Sequence, residues 1–335
     1  MNLVIKHLFQ AELPPWVHEL MEKIKKIASY VKRSHMNHKL DTSVKMEIDV
    51  RWNTKLFMIE SVYKSYNQIK ELIKGNKSSS AVNLPNLTNM DIKNMKNIIE
   101  FMTPFHAATV ELSARKTPTI HLVYLQFKKL QKHIFEFEAI YDEGDEEISW
   151  AEVKIAASEN MIKKFLIQDL HKVAFFLHPN YKSLKGESDE EKSSIKSKCS
   201  QMYERLITEP VESETHQNIV SEMAFDVDDF MEFEFSAPVV ARQTKSIKDE
   251  INAYSDLPLF EPVKDVLKFW NNDHQGKQFP KLRRLVQKLL GACASSVASE
   301  STFSTGGNIV EKKRTKLMGE NEALTFIHYM LLMED

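Results

Sequence analysis

Apolar residues recur at spacings of three and four along most of this chain, and that period constrains its fold more than any other feature. Val17, Leu20, Met21, Ile24, Ile27, Ala28 and Val31 form one stripe on a predicted helix. Pro14-Pro15 opens it, because the first turn of a helix tolerates proline. Lys23, Lys25, Lys26, Lys32 and Arg33 fall largely off the stripe and read either as a solvated face or as a DNA-facing side. The period returns over Thr54 to Lys74, and from Thr88 to about Asn180 the patterns are almost all helical. Thr88 with Asp91 has capping-box spacing. Thr117-Pro118-Thr119 predicts a long helix running through Tyr141, and a second is predicted near Ser149 to Leu170. Lys172 to Leu177 reads as a short buried strand or a helix end, and Pro179 stops it either way. Ser188 to about Ile207 is a charged helix. Only eight glycines in 335 residues argue against a turn-rich architecture and for helices.

One segment breaks the period. From Ser43 to Trp52, Val44, Met46, Ile48 and Val50 alternate with Lys45, Glu47 and Asp49, the pattern of a half-buried strand.

A formal net charge of −2 gives the chain no overall commitment to nucleic acid, so any DNA contact must come from a local basic patch. Two cysteines, Cys199 and Cys293, imply no disulfide framework and a reducing compartment. No apolar run approaches the length of a membrane span, and the N-terminus does not read as a signal peptide. Glu209 to Phe235 holds nine acidic residues and no Lys or Arg, with Phe225, Phe230, Phe233 and Phe235 interleaved. Such a stretch reads as a mobile linker or as a docking segment.

Beyond it, helices are predicted at Lys248 to Tyr254, Val263 to Asn271, Phe279 to Leu290 and Asn321 to Met333. Between the last two lies a run of small and hydroxyl residues, Ala292 to Thr305, enclosing one carboxylate, Glu300. Lys312, Lys313, Arg314 and Lys316 follow. Four cations in five residues read as a solvated loop, a nuclear-import patch or a phosphate-contacting strip. The last helix is apolar nearly all round, so it must be buried on most sides, within the chain or against a partner.

These C-terminal motifs resemble the hAT superfamily of DNA transposases and the host proteins derived from them. The resemblance rests on Tyr254-Ser255-Asp256-Leu257-Pro258-Leu259, Leu267-Lys268-Phe269-Trp270, Phe279-Pro280-Lys281-Leu282, Ser296 to Ser304, Gly307-Asn308-Ile309-Val310 and Lys313-Arg314. Upstream, Asp49 to Asn53 resembles the family's Arg-Trp strand end. Pro104-Phe105 and Pro118-Thr119-Ile120 resemble its helical middle, and Ala174 to Lys182 resembles a later segment.

That resemblance implies an RNase H-like core split by a large helical insertion, in which two aspartates and a glutamate gather two Mg²⁺ ions. Hydrolysis and strand transfer at a phosphodiester use such metals to activate the attacking oxygen and stabilise the leaving one. By motif position Asp49 and Glu300 are two of the three ligands. The first aspartate has no counterpart before Asp49, so an N-terminally truncated, catalytically inactive remnant is expected, with Asp49 and Glu300 vestigial. Ser301 stands where the family usually has Arg, and His178-Pro179-Asn180 where it has Asp-Pro-Arg. No zinc-finger spacing of cysteines and histidines exists, and His35 with His38 is a lone pair without cysteines.

The fold expected is mostly α: a partial RNase H-like core at 1–80, a helical insertion at 81–208, an acidic linker at 209–244 and a dimerisation region at 245–335. Trp270 and Phe279 read as core aromatics. With Phe303, Leu324, Ile327 and Leu331 they belong to the dimerisation region that the resemblance implies. Arg51, Lys312, Lys313, Arg314 and Lys316 are candidate DNA contacts. No cofactor is expected, with Mg²⁺ needed only if the catalytic site were complete. The expected partners are a second copy or a related hAT-derived protein, with DNA in the nucleus, and neither a membrane nor a small-molecule substrate. The alternative is a fragment of an active hAT transposase.

Overall fold

The structure, a computed structural model, describes residues 13–48, 51–74, 84–114, 117–141, 150–208, 246–259, 261–271 and 277–296. Ten α-helices lie among them. They are α1 (Pro15–Arg33), α2 (Asn53–Lys74), α3 (Asn89–Leu112), α4 (Leu122–Glu136), α5 (Ala151–Lys164), α6 (Asp169–Phe176), α7 (Asp189–Thr208), α8 (Ile247–Asp256), α9 (Val266–Asn271) and α10 (Pro280–Leu289). The mostly helical class predicted from the apolar period is therefore correct. Among the described residues there is no sheet, and the β structure found there is one isolated bridge, Ile48 to Arg51. No helix among them is long and apolar enough to cross a membrane. They divide into two compact units, the breaks falling after His171 and after Gly291.

In the first unit α2 packs on both α1 and α3, and α4 and α5 continue the stack from α3. The predicted α1 stripe is the buried face, with Val17, Leu20, Ile24, Ile27, Ala28 and Val31 all inside. The capping box that opens α3 forms as predicted. Asp91 N–H donates to Thr88 Oγ1 at 3.0 Å, and Thr88 N–H donates to Asp91 Oδ2 at 2.9 Å.

In this unit three predicted elements differ. Residues 43–47 are not a strand, because side chains take the backbone groups that a ladder would use. Asn37 clamps both the N–H and the carbonyl of Val44, at 2.8 and 3.1 Å, and Lys45 N–H donates to Ser61 Oγ at 2.9 Å. Alternation also fails at Ile48, which is exposed, while the Glu47 side chain turns inward. Helix α4 ends at Glu136 rather than running through Tyr141. Phe137 leaves the helix to pack 5.0 Å from the rings of Phe101 and Trp150, and buried Asn97 then pairs with both backbone groups of Ile140. Helix α5 stops at Lys164, where Phe165 turns away and sits 5.6 Å from Phe127. In each case a long-range contact outweighs the local period.

Lys172 to Leu177 resolves as the end of a helix, α6. The predicted helix at Asn321 to Met333 lies outside the described residues, as do Asp49 and Glu300.

Candidate interaction site

The second unit is organised around the turn that follows α6. Helix α6 ends because Pro179 cannot continue it, and Leu177 N–H makes the last helical bond, to Val173 O at 2.9 Å. The carbonyl of Leu177, a fully buried residue, then accepts two hydrogen bonds from far along the chain. Tyr254 Oη–H donates at 2.9 Å and Trp270 Nε1–H at 3.0 Å. Both lone pairs of that oxygen are thereby used.

The next residues act in the same way. Asn180 N–H donates to His178 Nδ1 at 3.3 Å, which requires a neutral imidazole at that nitrogen. Burial pushes the His178 ring down to about 4, consistent with that role. The Asn180 side chain pairs with both backbone groups of Val263, at 2.8 and 2.9 Å. This clamp accounts for α9 starting at Val266 rather than at the predicted Val263. Lys182 donates from Nζ to the carbonyls of Ser255 (2.9 Å) and Leu257, placing a cation at the C-terminal end of α8. Burial pushes the Lys182 ammonium below its ordinary range, and Asp256 offsets that in part.

Around the turn lies an aromatic cluster. Tyr254 is 5.2 Å from Trp270, 5.6 Å from Phe279 and 5.5 Å from Phe176. Trp270 and Phe279 are both buried, the core position that their helical spacing predicts. Burial pushes the Tyr254 phenol well above its ordinary range, and Cys199 acts in the same direction. The Cys199 thiol, itself buried, is pushed up to about 12.

Glu250 joins α8 to α10. It is only 3% exposed, and its Oε2 accepts from the backbone N–H groups of Lys281 (2.9 Å) and Leu282 (3.1 Å) in the first turn of α10. An anionic oxygen there satisfies two donors that the helix cannot and complements its dipole. Sequence reasoning singled out Ala174 to Lys182 as a segment but gave no role to Leu177 or Lys182, and it missed Glu250. The available signal was a polar run, His178 to Lys182, set around a proline directly after a buried apolar segment.

In the first unit, Arg51 is exposed at a tight corner, its N–H donating to Ile48 O at 2.9 Å. Thr54 Oγ1 holds that corner, accepting from Ile48 N–H at 2.7 Å and donating to Arg51 O at 2.6 Å. Trp52 is buried edge-on against His106, 6.2 Å between centroids. Glu47 is paired with Lys25 at 2.6 Å and with Lys55 at 3.0 Å. Burial pushes its carboxyl up, but the two ammonium groups outweigh that and hold it below the ordinary carboxylate range.

Both oxygens of Glu47 are occupied by cations, so it does not fit as a ligand for Mg²⁺. Among the described residues no three His, Cys, Asp or Glu side chains gather where they could hold a metal. Lys312, Lys313, Arg314, Lys316, Phe303, Leu324, Ile327 and Leu331 lie outside the described residues.

Residues 250–331 match the hAT family C-terminal dimerisation region. The match begins at Glu250, the residue that caps α10, and takes in Tyr254, Trp270 and Phe279. Over 274 residues, 81% of its length, the chain is also 26% identical to zinc finger protein 618 of Mus musculus. It spans about a quarter of that relative, 26% of its length. The first similarity agrees with the hAT reading of the C-terminal motifs. The dimerisation region is not self-sufficient in its packing. Leu177, Asn180 and Lys182, which its aromatics, loop and helix end engage, all precede the matched residues.

Proposed function

We propose that this hAT-derived chain acts by self-association through its C-terminal region, without transposase catalysis, and that it contacts DNA through local basic patches in the nucleus. The observation that carries this reading is the match over residues 250–331. Trp270 and Phe279 serve the assembly from within, holding α8, α9 and α10 in place. Phe303, Leu324, Ile327 and Leu331 supply the apolar contacts. Arg51, Lys312, Lys313, Arg314 and Lys316 are the DNA contacts.

Two features support catalytic inactivity. Ser301 follows Glu300 where the family usually places Arg, and the late Asp-Pro-Arg position is His178-Pro179-Asn180, whose polar groups hold the fold together. Asp49 and Glu300 are vestigial in this reading. No cofactor is needed in this reading.

Light scattering on the full chain tests self-association, with a dimer expected. A clean monomer at tens of micromolar, on the order of a weak transient complex, would remove the proposal. DNA cleavage in Mg²⁺ that disappears in Asp49→Ala and in Glu300→Ala would restore the transposase reading.

A further inference from the structure

The outward face of α10 carries charges of one sign. Lys281, Arg284 and Lys288 are spaced i, i+3 and i+7, which aligns them on one side of a helix. The opposite side buries Leu282, Leu285 and Val286. Arg284 and Lys288 are exposed, Lys281 is half-buried, and exposed Lys277 lies just before the helix.

Several surface lysines on other helices have a carboxylate within reach, although Lys26, Lys32, Lys64, Lys70 and Lys129 are exposed without an ion pair among the described residues. Lys96 pairs with Glu100, Lys132 with Glu136, Lys163 with Glu159 and Lys192 with Asp189, each within one helical turn. Those are ordinary solvated faces, in which intrahelical partners offset the charge. Arg284 and Lys288 have no such partner within α10, since the sequence from His274 to Ser299 holds no Asp or Glu. Among the described residues Arg284 and Lys288 have no ion-pair partner. Like charges at i, i+3 and i, i+4 destabilise a helix, so the stripe opposes the stability of the element that bears it.

We infer that the Lys281–Arg284–Lys288 face of α10 is a contact surface for the phosphate backbone of nucleic acid. The three charges span about 10 Å of helix axis at ~1.5 Å per residue. Consecutive phosphates of one strand advance ~3.4 Å along the duplex axis, so a face of that length reaches roughly three of them. Arg284 supplies the planar fork that suits phosphate oxygens. A protein partner fits the face less well, because interface cores favour aromatic and apolar residues and are depleted in lysine. The face offers only Lys281, Arg284, Gln287 and Lys288.

This inference rests on the DNA-binding part of the proposed function and adds a site to it. The test is fluorescence anisotropy of the full chain with a mixed-sequence DNA duplex, titrated from about 50 to 200 mM salt, the range over which phosphate contacts are lost. The K281Q/R284Q/K288Q variant is compared with the parent and with K312Q/K313Q/R314Q/K316Q. Loss of three phosphate contacts predicts that the α10 variant flattens the slope of log K against log salt by about 2.7, at ~0.9 per contact. The charge-preserving K281R/R284K/K288R retains the slope. Helical circular dichroism of each variant confirms its fold, and R284Q alone, with a change near ~0.9, serves if the triple variant does not fold. A parent slope kept in the α10 variant but lost in the 312–316 variant would overturn the inference and leave DNA binding standing. No binding by the parent at low salt would remove both. Competition by polyglutamate as effective as by DNA would reassign the face to acidic protein.

Discussion

Trp270 donates its indole N–H to the backbone carbonyl of Leu177 at 3.0 Å, across 93 residues of sequence. Tyr254 donates to the same oxygen, so two aromatic residues of the dimerisation region are fixed by one buried acceptor outside it. This sharing has an energetic signature. Trp270→Phe and Tyr254→Phe each leave one donor in place, so each loses a single buried hydrogen bond plus, for Trp270, some packing volume, about 1–3 kcal/mol. The double variant leaves a buried carbonyl unsatisfied. Its destabilisation should exceed the sum of the singles by about 1 kcal/mol or more, measured by urea unfolding of the full chain. Strict additivity would show that the two bonds are independent.

A fragment covering residues 245–335 should fail to fold as a stable unit. It lacks the Leu177 carbonyl, the Asn180 clamp on Val263 and the Lys182 contacts at the end of α8. Adding α6 and α7, in a fragment from about residue 169 onward, should restore a cooperative thermal transition. Circular dichroism melts of the two fragments provide the comparison, and a sharp transition in the shorter one would contradict the described packing.

His178 predicts loss of stability in mild acid. Its ordinary value is 6.5 and burial lowers it to about 4 in the folded chain. Between these values the unfolded chain binds a proton that the folded chain does not, so stability rises with pH and falls on acidification. The contribution is complete above the unfolded value and lost progressively as pH falls toward 4, up to about 3 kcal/mol at ~1.36 kcal/mol per unit. His178→Gln should remove that part of the slope in unfolding measured from pH 7 to pH 4. An unchanged slope would assign it to other groups.

The two cysteines should react at very different rates. Cys293 is exposed, whereas Cys199 is fully buried in α7 with its thiol pushed up to about 12. The thiolate is the reactive form, so a native thiol titration at neutral pH should show one fast group per chain and a second only on unfolding. Cys199→Ser should leave the fast group, and Cys293→Ser should abolish it.

Charge reversal at Glu250 should disconnect α8 from α10. Glu250→Lys removes an acceptor from two backbone donors and puts a cation at a helix N-terminus, on a residue that is 3% exposed. The expected cost is about 2–4 kcal/mol. A Tm unchanged from the parent in the full chain would show that the cap contributes nothing.

The sequence by itself determined the helices and some of their ends. The apolar stripe from Val17 to Val31 and the Thr88–Asp91 box act over three or four residues, the range of the helical hydrogen bond, and both are found as their spacing predicts. The motifs from Tyr254 to Phe279 also marked the hAT region directly. Tertiary structure alone decided the rest. The alternation from Val44 to Ile48 carried no information about whether a neighbouring strand exists, and Asn37 and Ser61 took the backbone groups instead. Phe137 and Phe165 left their predicted helices for rings brought close by the fold. The roles of Leu177, Asn180 and Lys182 depend on partners 73 to 93 residues away. Local spacing cannot encode such pairings, because closing loops of that length is settled by the packing of the whole unit rather than by the residues at either end.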